Sequence, residues 1–263
     1  MQLKLLFSTS PHPIASNNEE QLQQLLSMDL DFHGQNSTYS SHALHAFPAK
    51  FPPQLPALFI EALTQPGERV LDPMMGSGTT LLEAQMAGRK PLGFDIDPLA
   101  ARIAQAKLIP PNLQQSVEWT ERIIEQAQQR MQDSPALQSA FEAAFDAESL
   151  DFLYYWFHDQ TRLELFAIKQ EITCISDANL RRFFMVVFSS IIITKSGGVS
   201  KALDLAHTRP HRNQEKTRRP VFAEFRKRVK QTLRAWTAQP DALPGLLARG
   251  NAQIGRASCR ERV

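Results

Sequence analysis

The stretch Asp72-Pro73-Met74-Met75-Gly76-Ser77-Gly78-Thr79-Thr80, DPMMGSGTT, decides how this chain folds. It starts on the last residue of a short apolar run, RVLD (Arg69 to Asp72). It runs into TTLLEAQMAG, whose apolar residues fit a helix stopped by Gly88. Strand, glycine-bearing turn and helix are therefore expected in that order. KPLGFD (Lys90 to Asp95) reads as a second strand and PLAARIAQAKL (Pro98 to Leu108) as a second helix. Asp97 is the expected N-cap, with Pro98 at the first helical position. This succession opens a doubly wound parallel sheet of the α/β class.

The turn is built to approach a ligand. Gly76 and Gly78 carry no Cβ, so the chain can bend tightly and bring backbone N–H groups forward. Thr79 and Thr80 then begin a helix, whose N-terminal N–H groups and dipole favour a carboxylate or phosphate. A nucleoside triphosphate loop would need GxxxxGK[ST], and no Lys follows Gly78. The dinucleotide fingerprint lacks its third glycine, because Leu81 stands there. On these residues alone, a purely structural turn stays open as the alternative. The second strand ends in Asp95, about 20 residues on, where a carboxylate can accept hydrogen bonds from ribose hydroxyls. A solvated carboxylate at a strand end is the competing reading.

Composition excludes several classes. With 263 residues, 43% hydrophobic and 21% charged, the chain suits one large domain or one domain with an insert. No apolar run approaches the ~18 residues of a membrane span. The start, MQLKLLFSTSPHPIASNNEE, lacks the long apolar core of a secretory signal, so a cytoplasmic protein is expected. Two cysteines argue against a disulfide framework and a Cys-based zinc site. His207 and His211 have no carboxylate or Cys at metal-ligand spacing, so no metal is expected.

The formal charge of +2 invites a nucleic-acid reading, but IGRASCRERV (Ile254 to Val263) carries +2 of it. That segment resembles a translated sequencing adapter and is set aside as non-native. The expectation that follows is a natural sequence interrupted near Gln253.

Elsewhere, EEQLQQLLSM forms a helical patch in which Leu22, Leu25, Leu26 and Met28 are candidates to face a core. The prolines at 48, 52, 53 and 56 predict an extended entry, with a short helix after Pro56 that ends at Pro66-Gly67. Residues 113–188 carry long helical patterns with almost no turn glycine. VFAEFRKRVKQTLRAWTAQ reads as an amphipathic helix with Phe222, Phe225, Val229, Leu233 and Trp236 on one face. Between Arg209 and Arg234 stand ten Lys or Arg against two Glu. Of these, Arg226, Lys227, Arg228, Lys230 and Arg234 are expected on the polar face. They make either a phosphate-contacting patch or a solvated helix surface.

The segment from about Phe32 to Leu108 resembles the cofactor-binding half of the S-adenosylmethionine-dependent DNA amino-methyltransferases, which modify N4 of cytosine or N6 of adenine. The resemblance rests on DPMMGSGTT, on Asp95 after Leu92-Gly93-Phe94, and more loosely on Lys50-Phe51-Pro52. It implies a Rossmann-like fold with an incomplete parallel sheet and a helical insert. It also implies S-adenosyl-L-methionine as cofactor and DNA as partner. The implied cofactor-binding residues are Asp72, Pro73, Gly76, Ser77, Gly78, Thr79, Asp95 and Lys50, with Lys50 or neighbouring backbone near the methionine carboxylate; an exposed loop cation is the competing reading of Lys50. The implied organisation is an extension over 1–30, a cofactor-binding half over 31–112, a helical insert over 113–240 that helps recognise the target, the opening of a further strand over 241–253, and the tail 254–263. The family's catalytic tetrapeptide, [DNS]PP[YFW], is absent. Pro-Pro occurs in KFPPQL and LIPPNL, with neither the preceding polar residue nor the following aromatic. No catalytic residue is therefore assigned, and this chain alone is expected to be inactive. An RNA methyltransferase of the same fold and a non-catalytic nucleic-acid-binding protein are the alternative readings.

Overall fold

The structure, a computed structural model, describes residues 18–48, 50–192, 194, 198–203, 211–236 and 246–249. Among these residues three parallel strands form a sheet: β1 (Arg69–Asp72), β2 (Lys90–Asp95) and β3 (Leu246–Arg249), in the order β1-β2-β3. Asp72 pairs with Gly93 and Asp95 with Arg249, so the C-terminal ends of all three strands gather on one side. The adapter-like tail lies outside the described residues.

β1 and β2 are joined by α3 (Thr79–Met86), and β2 is followed by α4 (Pro98–Leu108). All four bounds follow the sequence reading closely. Asp97 caps α4 by accepting from the Leu99 N–H at 2.8 Å. Leu81 and Leu82 of α3 are fully buried and pack with Met75, Ala101, Ala104 and Leu108 as a small core beside the sheet.

Ahead of the sheet run α1 (Asn18–Leu26), a 3-10 turn (Ser40–Ala43) and α2 (Gln54–Leu63). Two expectations change here. α2 starts at Gln54, before Pro56, because a proline in the first turn gives up only an N–H that has no helical partner. In α1 only Leu25 is buried, whereas Leu22 and Leu26 are exposed.

After α4 come α5 (Leu113–Arg130), α6 (Ser134–Ala143), α7 (Ala147–Trp156), α8 (Asp159–Thr173), α9 (Ala178–Ile192) and α10 (Val221–Trp236). Asn112, Asp133 and Asp146 cap α5, α6 and α7 through their side chains, which fixes where each begins. The inward faces repeat at helical spacing, as in Thr161, Leu165, Ile168 and Ile172 of α8. Together they build the larger core, with Phe183 against Trp236 at 5.3 Å and Phe184 against Phe225 at 6.1 Å between ring centroids. Ile103 and Ala106 of α4 belong to this core as well, so α4 is shared between the two.

Candidate cofactor site

The site forms where β1 ends. Asp72 folds its carboxylate back to accept the Met74 N–H at 3.0 Å, closing a turn around the exposed Pro73. The Met75 N–H donates to the Phe94 carbonyl at 3.0 Å, tying the turn to β2 one step past the last β1 pairing. Gly76 and Gly78 have φ of +51° and +77°. A Cβ at Gly78 would lie 2.8 Å from the Ala104 Cβ, so this glycine is needed both for its conformation and for the contact with α4. The ring of Phe47 covers Gly76, which brings the segment upstream of α2 onto the turn. Thr79 is buried at the start of α3.

Asp95 stands at the end of β2, half-buried. Its Oδ2 accepts the Gly76 N–H and its Oδ1 the Asp97 N–H, each at 2.8 Å. The carboxylate therefore braces the glycine turn, and each oxygen keeps a lone pair for a further donor. α3 has neither a side-chain cap at Gly78 nor an acidic residue in its first turn, so its leading N–H groups and positive dipole end are not neutralised by the chain.

Lys50 lies apart from DPMMGSGTT in sequence, and its charge acts on Lys107 of α4. Its Nζ donates to the His42 carbonyl at 2.9 Å. It lines a cavity of about 440 Å³ together with His45, Phe47, Lys227 and Arg228; the turn 72–80 does not reach this cavity. The predicted set is thus split: Asp72, Pro73, Gly76, Ser77, Gly78 and Thr79 form the turn, Asp95 of β2 is bonded to it, and Lys50 lines a cavity that the turn does not reach.

Sequence reasoning missed what stands behind the turn. Lys107 of α4 is fully buried and donates to Ser77 Oγ at 3.0 Å. Its spacing gave a signal: Ala100, Ile103, Ala104, Lys107 and Leu108 share the buried stripe of α4. Burial, then the nearby Lys50 charge, pulls the Lys107 pKa down to about 7. Glu83 of α3 accepts from Tyr39 Oη at 2.7 Å and from His42 Nε2 at 2.6 Å. Burial holds His42 below its ordinary pKa despite the Glu83 partner, and the same cause lowers His45. Burial and then the bond to Glu83 push the Tyr39 hydroxyl up. Among the described residues no cluster suited to a metal occurs, and no helix is long and apolar enough to cross a membrane.

The DNA methylase family, N6/N4 type, matches residues 12–106, a span that contains the whole turn and Asp95. Over that span the chain is similar to the N6/N4-type DNA methylases. Among curated proteins, the type II methyltransferase M.MvaI of Kocuria varians is 28% identical over 213 residues, covering 76% of this chain and 44% of that protein. M.MjaII of Methanocaldococcus jannaschii is 38% identical over 93 residues, 34% of this chain and 18% of that protein. M.PvuII of Proteus hauseri is 44% identical over 55 residues, 21% of this chain and 16% of that protein. The chain spans less than half the length of these curated relatives. Members of this family depend on S-adenosylmethionine.

Proposed function

We propose that this chain is the S-adenosylmethionine-binding part of a DNA methyltransferase whose target is the exocyclic amine of cytosine (N4) or adenine (N6). The reading takes the sheet and its flanking helices as part of a Rossmann-like methyltransferase fold. The observation that carries it is the pairing of the GSG turn with Asp95, joined by the 2.8 Å bond from the Gly76 N–H. The residues fit the cofactor. Asp95 has lone pairs for ribose hydroxyls, and the uncapped start of α3 suits the amino-acid carboxylate. In this reading Asp72, Pro73, Gly76, Ser77, Gly78 and Thr79 shape the methionine end, and Lys50 adds positive charge. The bound cofactor supplies an electrophilic methyl group on a sulfonium; the residues of this chain hold and orient it.

DNA as partner draws support from the family and from the names of the relatives, all type II methyltransferases. Because the chain holds no [DNS]PP[YFW] segment, we expect cofactor binding without turnover. Calorimetry with S-adenosylmethionine tests the site. Asp95→Ala should weaken binding about tenfold or more, the worth of one or two hydrogen bonds to a charged group. An unchanged affinity would remove the ribose role from Asp95, and methylation of unmodified DNA by the chain alone would remove the claim that it is inactive.

A further inference from the structure

Lys107 is fully buried, yet among the described residues no carboxylate pairs with it. Among the described residues its Nζ bonds Ser77 Oγ, in the middle of the GSG turn, and the charge acting on it is a second cation, Lys50. An ammonium so placed is costly, and a Met or Leu would continue the apolar stripe of α4 without that cost. Packing therefore does not account for a lysine here. Ser77 is itself buried. When its oxygen accepts from Lys107, its own O–H is left to donate, and no described residue takes that bond. The donor chain from Lys107 through Ser77 ends at the turn, beside the uncapped start of α3.

We propose that Lys107 is a positioning residue for the methyl donor: through the Ser77 hydroxyl it presents a hydrogen-bond donor, backed by a buried positive charge, to the carboxylate at the donor's amino-acid end. The inference rests on the reading of the turn as the S-adenosylmethionine site. The direction of the relay follows the protonation of Lys107. The ammonium donates to Ser77 and turns its O–H outward, whereas the neutral amine accepts from Ser77 and turns it inward. With its pKa held at about 7, Lys107 sits between these states near neutral pH. An anion at Ser77 favours the ammonium, so binding takes up a proton above about pH 7 and affinity falls as pH rises. The other groups around this site are Lys50, His42 with its partner Glu83, His45 beside Arg228 of α10, Tyr39 and Asp95. Both imidazoles are held below their ordinary pKa, so they stay neutral above pH 7 and add nothing to that slope.

The test is calorimetry of S-adenosylmethionine with the full chain at pH 6.5 and 8.5, in buffers of different ionisation enthalpy so that protons are counted. The wild type is expected to bind about tenfold more tightly at pH 6.5 and to take up a proton at pH 8.5. Lys107→Met should lose at least about fivefold in affinity at pH 6.5 and lose the uptake assigned to the lysine, while melting no lower than wild type. The donor's own amino group titrates equally with both proteins, so the difference between them belongs to Lys107. Ser77→Ala should lose the same uptake and provides the test should Lys107→Met fail to melt cooperatively. Wild-type affinity and proton count in Lys107→Met, or full uptake in Ser77→Ala, would overturn the inference while leaving the cofactor site standing. A wild type that does not bind S-adenosylmethionine at all would overturn both.

Discussion

At Gly78 two demands meet in one residue. The backbone takes φ +77°, and the missing Cβ leaves room for Ala104 of α4 at 2.8 Å from where that atom would lie. Gly67 makes the separation of these demands possible, because it has φ +87° and nothing within 4 Å. Gly67→Ala should cost only the conformational penalty, about 1–2 kcal/mol. Gly78→Ala should add overpacking against α4 and cost about 2–5 kcal/mol in urea unfolding. Equal costs at the two sites would mean that the turn does not press on α4. DPMMGSGTT announced this glycine plainly, since a left-handed residue at a strand-to-helix turn has few other solutions. Lys107 was harder to see. A lysine in a helix reads as solvent-facing by type, and only its place in the Ala100, Ile103, Ala104 stripe contradicts that. Its partner, Ser77, is 30 positions away, at a distance no local pattern encodes.

Among the elements, α10 shows where a helical pattern informs and where it stops. Its apolar face was legible from spacing: Phe225, Val229, Leu233 and Trp236 are buried as expected. Its basic residues were read as one polar face, and the structure divides them. Arg226 reaches across to Glu121 of α5 as an exposed pair. Arg228 instead turns inward, donating to the carbonyls of Ala43 at 2.6 Å and Leu44 at 2.8 Å and to Ser190 Oγ at 3.0 Å. It flanks the apolar stripe, close enough for a long stem to reach the 3-10 turn. The two arginines should therefore behave differently. Arg226→Ala should change stability by less than about 1 kcal/mol, as exposed ion pairs do. Arg228→Ala should cost about 2–4 kcal/mol, because it removes a charged donor from the Ala43 and Leu44 carbonyls. Denaturant melts of the two variants decide this, and a cheaper Arg228→Ala would show that the 3-10 turn does not need its clamp.

Over the whole molecule, segment 39–45 is the seam between the sheet-side core and the larger helical core. On one side Tyr39 and His42 bond Glu83 of α3, and Ser41 Oγ donates to the Lys107 carbonyl at 3.1 Å. On the other, His45 Nε2 meets Ser189 Oγ of α9 at 2.9 Å, and α10 holds Ala43 and Leu44 through Arg228. None of this was legible in the sequence. A proline-flanked stretch with two histidines carries no periodicity, and its partners come from helices up to 185 residues away. The seam is basic and buried, which gives the fold a direction with pH. His42 and His45 have folded pKa values below their ordinary ones, so the unfolded chain binds more protons as pH falls through 6.5, and their contribution to stability is lost there. Lys107, at about 7 when folded against 10.5 ordinarily, leaves the unfolded chain with the extra proton between those values, so stability rises across that range. Both effects have the same sign. Urea unfolding at pH 5.5, 7.0 and 9.0 should therefore show stability increasing with pH, with the last step flattened in Lys107→Met. Because Lys107 meets the turn through Ser77, saturating S-adenosylmethionine should shrink the rise above pH 7 by favouring the ammonium. A wild-type profile that falls between pH 7.0 and 9.0 would mean that the seam is not buried as described.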